Sequence, residues 1–163
     1  MYILGDIGNT ETKIWLVSKK SKIIKKIYFS SKEITNNKLS KIFKKNNFQF
    51  KYIEKILFCS VVPQTFNIIK KFLSKKTNRN CYEVKNLNLK SLIKVKVDYK
   101  QVGSDRITNA ISLMNGKNNY IILDFGTATT FDVIVKKIYF GGIIAPGVKS
   151  VSYTHLTLPT TYH

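Results

Sequence analysis

Apolar and polar residues alternate over 2–6, 12–18 and 23–29, a period of two that predicts three half-buried strands. A turn at Gly8 separates the first pair and a lysine-rich turn at 19–22 the second. The spacing then changes. Ile34, Leu39, Ile42 and Phe43 fall near one face of a helix, with Ser31 as its candidate cap. Residues 55–62 read as a strand stopped at Pro63, Phe66, Ile68, Ile69, Phe72 and Leu73 mark a second helix, and 81–84 a short strand.

Residues 87–98 have no clear period and read as a connector, with a strand at 95–99. A helix is predicted near Asp105, burying Ile107, Ala110, Ile111, Leu113 and Met114 and closed by Asn115-Gly116. Strands at 120–124, 130–135 and 138–144 then repeat the opening. The repeat extends to residues: Tyr2 aligns with Tyr120, Asp6 with Asp124, Gly8 with Gly126 and Thr12 with Thr130. Three strands followed by alternating helix and strand is the order of a ribonuclease-H-like domain. The expectation is therefore an α/β chain whose ribonuclease-H-like (actin-like ATPase) domain is duplicated, with the second copy incomplete. The first copy would occupy 1–100 and the start of the second 101–149. Residues 150–163 lack Lys, Asn and Ile yet hold both histidines, His155 and His163, and read as a non-native or disordered tail without chemistry.

Composition narrows the function. The 163 residues are 44% hydrophobic, enough for a core, and carry a net charge of +19 from 28 basic and 9 acidic side chains. Such charge raises nucleic acid as a partner, but the lysines are spread along the chain and Arg79 and Arg106 are the only arginines. The reading is against a nucleic-acid surface. No apolar run would span a bilayer and no leader pattern opens the chain, so a cytoplasmic location without membrane association is expected. Cys59 and Cys81 lack metal-site spacing and read as reduced thiols. The scarce acids are more telling: Asp6, Glu11, Asp105, Asp124 and Asp132 lie in or beside glycine-containing motifs. For Glu11 and Asp132, ion pairing to lysines is the plain alternative.

Each copy of the repeat offers a strand, a carboxylate, a glycine turn and hydroxyls. That combination suits a magnesium-bound polyphosphate: the carboxylate holds the metal through water, the glycine admits backbone amides to phosphate oxygens, and hydroxyls complete the cradle. Gly103-Ser104-Asp105-Arg106 adds a carboxylate and a guanidinium at a helix start, where an anion is favoured. Gly141-Gly142-Ile143-Ile144-Ala145-Pro146-Gly147 adds a glycine-lined strand exit that a flat ligand could approach.

With Asp6-Ile7-Gly8-Asn9-Thr10, Ser60-Val61-Val62-Pro63 and Asp124-Phe125-Gly126-Thr127-Ala128-Thr129-Thr130, these motifs make the chain resemble the type III pantothenate kinases, relatives of acetate and sugar kinases, Hsp70 and actin. The resemblance implies transfer of the ATP γ-phosphoryl group to pantothenate, giving 4'-phosphopantothenate in the first step of coenzyme A biosynthesis. It also implies magnesium, a monovalent cation (potassium or ammonium) and a homodimer. Carried over, Asp6 would orient magnesium, and Gly8, Asn9 and Thr10 would meet phosphates from one turn, with Gly126, Thr127, Thr129 and Thr130 from the other. Asp124 would lie by the monovalent cation, and Asp105 would be the general base. Tyr99, Gly103, Ser104 and Arg106 would contact pantothenate. The linker Lys100-Gln101-Val102 is shorter than the family's proline-containing segment, which bears on Tyr99. The family's second domain continues past Gly147, so this chain reads as an inactive fragment. The alternatives are a non-catalytic transcriptional accessory factor of the same family and another sugar- or acetate-type kinase.

Overall fold

The computed structural model describes residues 1–147, and the expected tail lies outside them. Strands β1 (Tyr2–Ile7), β2 (Glu11–Val17) and β3 (Ile23–Ser30) form an antiparallel meander, followed by α1 (Asn36–Lys45), β4 (Lys55–Ser60), α2 (Pro63–Thr77) and β5 (Cys81–Glu83). The sheet order is β3-β2-β1-β4-β5, with β4 parallel to both β1 and β5. This is the mixed sheet of a ribonuclease-H-like domain. Ile3, Ile7, Ile14, Ile56 and Phe58 alternate onto one face, where Leu39 and Phe43 of α1 and Ile69 and Leu73 of α2 bury them. The opposite face carries Leu4, Asp6, Trp15, Leu57 and Cys59 and is turned toward the cleft.

The caps depart from expectation. Ser31 does not start α1: its hydroxyl shares a 2.8 Å hydrogen bond with the buried Thr12 hydroxyl, and its amide donates to the Thr10 carbonyl at 3.0 Å. These bonds keep the chain extended past β3, so Thr35 becomes the cap and accepts the Lys38 amide at 3.2 Å. Pro63 stops β4 by occupying the first turn of α2, where its missing N–H costs nothing.

The rest of the chain supplies β6 (Lys94–Val95), α3 (Ser104–Leu113), β7 (Asn119–Phe125), β8 (Ala128–Val135) and β9 (Ile138–Pro146). Their sheet runs β6-β9-β8-β7. The strand expected at 95–99 is thus a two-residue β6, and it pairs parallel with β9. Sheet membership accordingly changes between β5 and β6, before the expected division at residue 100. Ile107 and Ala110 of α3 pack with Ile93, Val102, Ile134 and Tyr139 into a second core. Leu113, expected on the buried side, is exposed at the last turn.

Unlike β1, which has a partner on each side, β7 ends its sheet among the described residues. Its outward face is bare: Ile121 and Phe125 are 67% and 66% exposed, and Ile143 in the cross-strand row with Leu123 and Phe131 is 67% exposed.

Candidate functional site

Both copies of the repeated phrase close the same turn. The Gly8 amide donates to the Glu11 carbonyl and the Gly126 amide to the Ala128 carbonyl, each at 3.0 Å. The two turns meet at their tips, where the hydroxyls of Thr10 and Thr127 lie 3.1 Å apart. Asn9, Thr10, Gly126 and Thr127 are all exposed there.

Behind the tips, a cavity of about 360 Å³ is lined by Asp6, Asp105 and Asp124 together with Trp15, Cys59 and Asn109. Three elements converge on it. Strand β1 delivers Asp6 from the face opposite its isoleucines, the first turn of α3 delivers Asp105, and the end of β7 delivers Asp124. Asn109 donates to Asp124 at 3.1 Å, and the Cys59 thiol to Asp6 at 3.4 Å. In a chain with 28 basic residues, none of these three carboxylates has a salt-bridge partner among the described residues. Burial pushes the Asp6 carboxyl above its ordinary range; Cys59 and Lys13 oppose that shift, while Asp105 and Asp124 add to it.

Three carboxylates without a salt bridge fit a cation. Among the described residues no three His, Cys, Asp or Glu side chains form a metal cluster of their own. A hard cation takes one or two carboxylates and completes its shell with phosphate and water. The Thr130 hydroxyl is the one fully buried side-chain oxygen or nitrogen without a partner among the described residues, and its residue pairs with Asp124 across β7 and β8. Strand alternation puts Thr129, which is buried, on the other face. The expected cradle of Thr127, Thr129 and Thr130 is thus divided between two faces.

The Gly-Ser-Asp-Arg motif is only partly turned to the cavity. A Cβ on Gly103 would stand 2.3 Å from Asp105 Oδ1, so the space expected to admit substrate is filled by the Asp105 carboxylate, which accepts the Arg106 amide at 2.8 Å. The Ser104 hydroxyl is buried and donates to the Glu83 carboxylate, tying α3 to the end of β5. Arg106 grips Asp132 by Nε at 2.9 Å and Nη2 at 2.5 Å, so the partner of Asp132 is this arginine and not a lysine. Tyr99 lies away from Asp105: its hydroxyl donates to the Lys85 carbonyl at 3.2 Å, and its ring lines a separate cavity of about 550 Å³ with Leu89, Ile93 and Val95. The second glycine motif is likewise used internally. A Cβ on Gly142 would meet the Phe131 carbonyl oxygen at 1.7 Å, and one on Gly147 the Thr127 carbonyl oxygen at 2.4 Å. Close backbone packing takes the room assigned to a flat ligand.

Sequence reasoning missed Cys59, Asn109 and Trp15. Asn109 follows Asp105 by four residues, one helical turn, and could have been found by that spacing. Cys59 needs the β1–β4 register, in which it stands opposite Asp6.

Comparison with known proteins follows the same lines. The sequence model of the family described as Type III pantothenate kinase matches residues 2–158. A Type III pantothenate kinase of Pelagibacter ubique is 58% identical over 149 residues, covering 91% of this chain and 60% of that protein. One from Syntrophotalea carbinolica is 33% identical, covering 91% of this chain and 61% of its own length. The chain thus spans about 60% of the length of these relatives. Among solved structures, a Campylobacter jejuni protein named for the Baf family of transcriptional activators aligns with a TM-score of 0.53 at 20% identity, over 91% of this chain and 56% of that one. An Aquifex aeolicus Ppx/GppA phosphatase aligns at 0.53 and 10% identity, over 93% and 54%. At those identities the structures speak for the actin-like ATPase fold, and the sequence match carries the rest: the chain belongs to the type III pantothenate kinase family.

Proposed function

We propose that the whole protein of which this chain is a part transfers the γ-phosphoryl group of ATP to the primary hydroxyl of pantothenate, the opening reaction of coenzyme A biosynthesis. The observation that carries this reading is the meeting of the two turns at Thr10 and Thr127 above three carboxylates that form no salt bridge among the described residues. The phosphate tail of ATP would part those hydroxyls and lie between them. Asn9 and Thr10 would donate from the first turn, with the amides flanking Gly8, and Thr127 from the second, with those flanking Gly126. Thr130 would complete the second side with its free hydroxyl.

Asp6 and Asp124 would hold the cations that neutralise the phosphates: magnesium at Asp6 and potassium or ammonium at Asp124. A bound cation supplies charge neutralisation as the phosphoryl group moves. Asp105, at the α3 N-terminus and facing the same cavity, would accept the proton of the pantothenate hydroxyl as its oxygen bonds to phosphorus. Positioning and electrostatics account for most of the catalysis in such transfers. Arg106 would meet the carboxylate of pantothenate. We further propose that the whole protein works as a cytoplasmic homodimer, that residues 1–100 and the segment from 101 act as the two walls of the cleft, and that the 163-residue chain alone is inactive. No helix among the described residues is long and apolar enough to cross a membrane.

The test is turnover by the whole protein in a coupled assay for ADP. Pantothenate-dependent activity is expected, and Asp105→Asn should lower kcat by about 10²- to 10⁴-fold with little change in the KM for ATP. An unaltered kcat in that variant would remove Asp105 as the base. Salt-sensitive DNA binding without any turnover would favour the accessory-factor reading.

A further inference from the structure

Asp132 is the most deeply buried acid of the chain: it is 0% exposed, yet it lies in neither turn and does not line the carboxylate cavity. It stands on β8, where Arg106 of α3 reaches it with Nε (2.9 and 3.1 Å to the two carboxylate oxygens) and Nη2 (2.5 Å). From β9, the fully buried Tyr139 donates its hydroxyl to Asp132 Oδ1 at 2.5 Å. Three elements thus meet in one charge-assisted network.

Its geometry is lopsided. An arginine has five N–H donors in a planar fork, and Asp132 takes only the Nε/Nη2 edge. Nη1 has no protein partner among the described residues and is not fully buried. Arg106 also follows Asp105 directly, on the first turn of α3. A free arginine side chain samples many rotamers, and fixing one edge of the fork removes that freedom before a ligand arrives.

We propose that Asp132 and Tyr139 are positioning residues: they clamp the Nε and Nη2 groups of the Arg106 guanidinium and leave Nη1 for the anionic group of the acceptor substrate. The second half rests on the kinase reading above; the clamp itself does not. Tyr139 acts through Asp132. Its hydroxyl occupies one carboxylate oxygen and stops the carboxylate from turning, so the arginine has one seat and not several.

Two readouts on the whole protein separate these parts. The first is the Nε–H signal of Arg106 in ¹⁵N nuclear magnetic resonance, assigned by its loss in Arg106→Lys. In the parent it should be resolved and slow to exchange with solvent, and in Tyr139→Phe it should exchange about tenfold faster. The second is steady-state kinetics. Tyr139→Phe should raise the KM for pantothenate about five- to tenfold, leave the KM for ATP within about twofold, and change kcat less than KM. Asp132→Asn should go further in the same direction. Tyr139→Phe keeps the buried ring and is the deciding variant should Asp132→Asn fail to fold. An unchanged Nε–H exchange rate in Tyr139→Phe overturns the clamp. Faster exchange with an unchanged KM for pantothenate overturns the role in acceptor binding. A parent that never phosphorylates pantothenate defeats the kinase reading and with it that role, while the exchange rate still decides the clamp.

Discussion

At the scale of the residue, the site is a set of groups placed where folding alone would not want them. Asp6 sits half-buried on β1 with its carboxyl pushed up by burial and by two further acids, and only the Cys59 thiol and Lys13, its cross-strand neighbour on β2, to offset the cost. A carboxylate whose folded pKa is raised binds its proton more tightly in the folded state. Its penalty on stability is therefore absent below the ordinary carboxylate range, grows as pH rises toward the folded pKa, and is fully present above it. Asp6→Asn, without nucleotide or divalent cation, should thus melt a few degrees higher than the parent at pH 8. The gain should fade in melts repeated toward pH 4. A variant that melts lower at pH 8 would mean the carboxylate is stabilising and differently placed. Asp6, Asp105 and Asp124 were legible in the sequence because acids are scarce here and these three sit beside glycines. The Arg106–Asp132 pair was not. It joins a helix to a strand 26 residues away, and spacing gives no sign of which basic group a buried acid will choose.

At the scale of the element, periodicity found nearly every strand and helix, because each sheet buries one face and each helix one stripe. The errors fall at ends, where a few hydrogen bonds decide. Ser31 and Thr35 are both sound caps by type. Ser31 is lost to the role because Thr12 and Thr10 hold it in the extended chain. Thr35→Ala should therefore cost about 1 kcal/mol in denaturant unfolding and speed amide exchange at Lys38. Ser31→Ala should leave that amide protected, although it strips the Thr12 hydroxyl of its partner. Equal protection loss in both variants would contradict the assignment of the cap. The short β6 was over-read for a related reason: residues 96–99 turn away after two ladder positions, and only the pairing with β9 reveals where the strand stops.

At the scale of the whole molecule, the two sheets differ in how well they are covered. The first has α1 and α2 on one face and the cleft on the other, whereas the second has α3 on one face and, among the described residues, nothing over Ile121, Leu123, Phe125 and Ile143. A contiguous apolar face beside an unpaired edge strand favours association. The 163-residue chain is expected to sediment as oligomers at micromolar concentration, and Ile121→Lys combined with Ile143→Lys should shift it toward monomer. A parent that sediments as a monomer would show that the face is covered. The two turns were legible because Tyr2, Asp6, Gly8 and Thr12 recur as Tyr120, Asp124, Gly126 and Thr130. How the two turns are brought together was not, since it depends on α3 packing against β4 as well as against β7 and β8.

The central claim is that two related turns hold one phosphate tail. A crystal structure of the whole protein with magnesium and a non-hydrolysable ATP analogue tests it most directly. The account predicts phosphate oxygens within about 3.5 Å of donors on both turns, at Asn9 or Thr10 and at Thr127, with Asp6 and Asp124 facing the cations. Phosphates bound to one turn alone, or outside the cleft between Asp6 and Asp124, would contradict it.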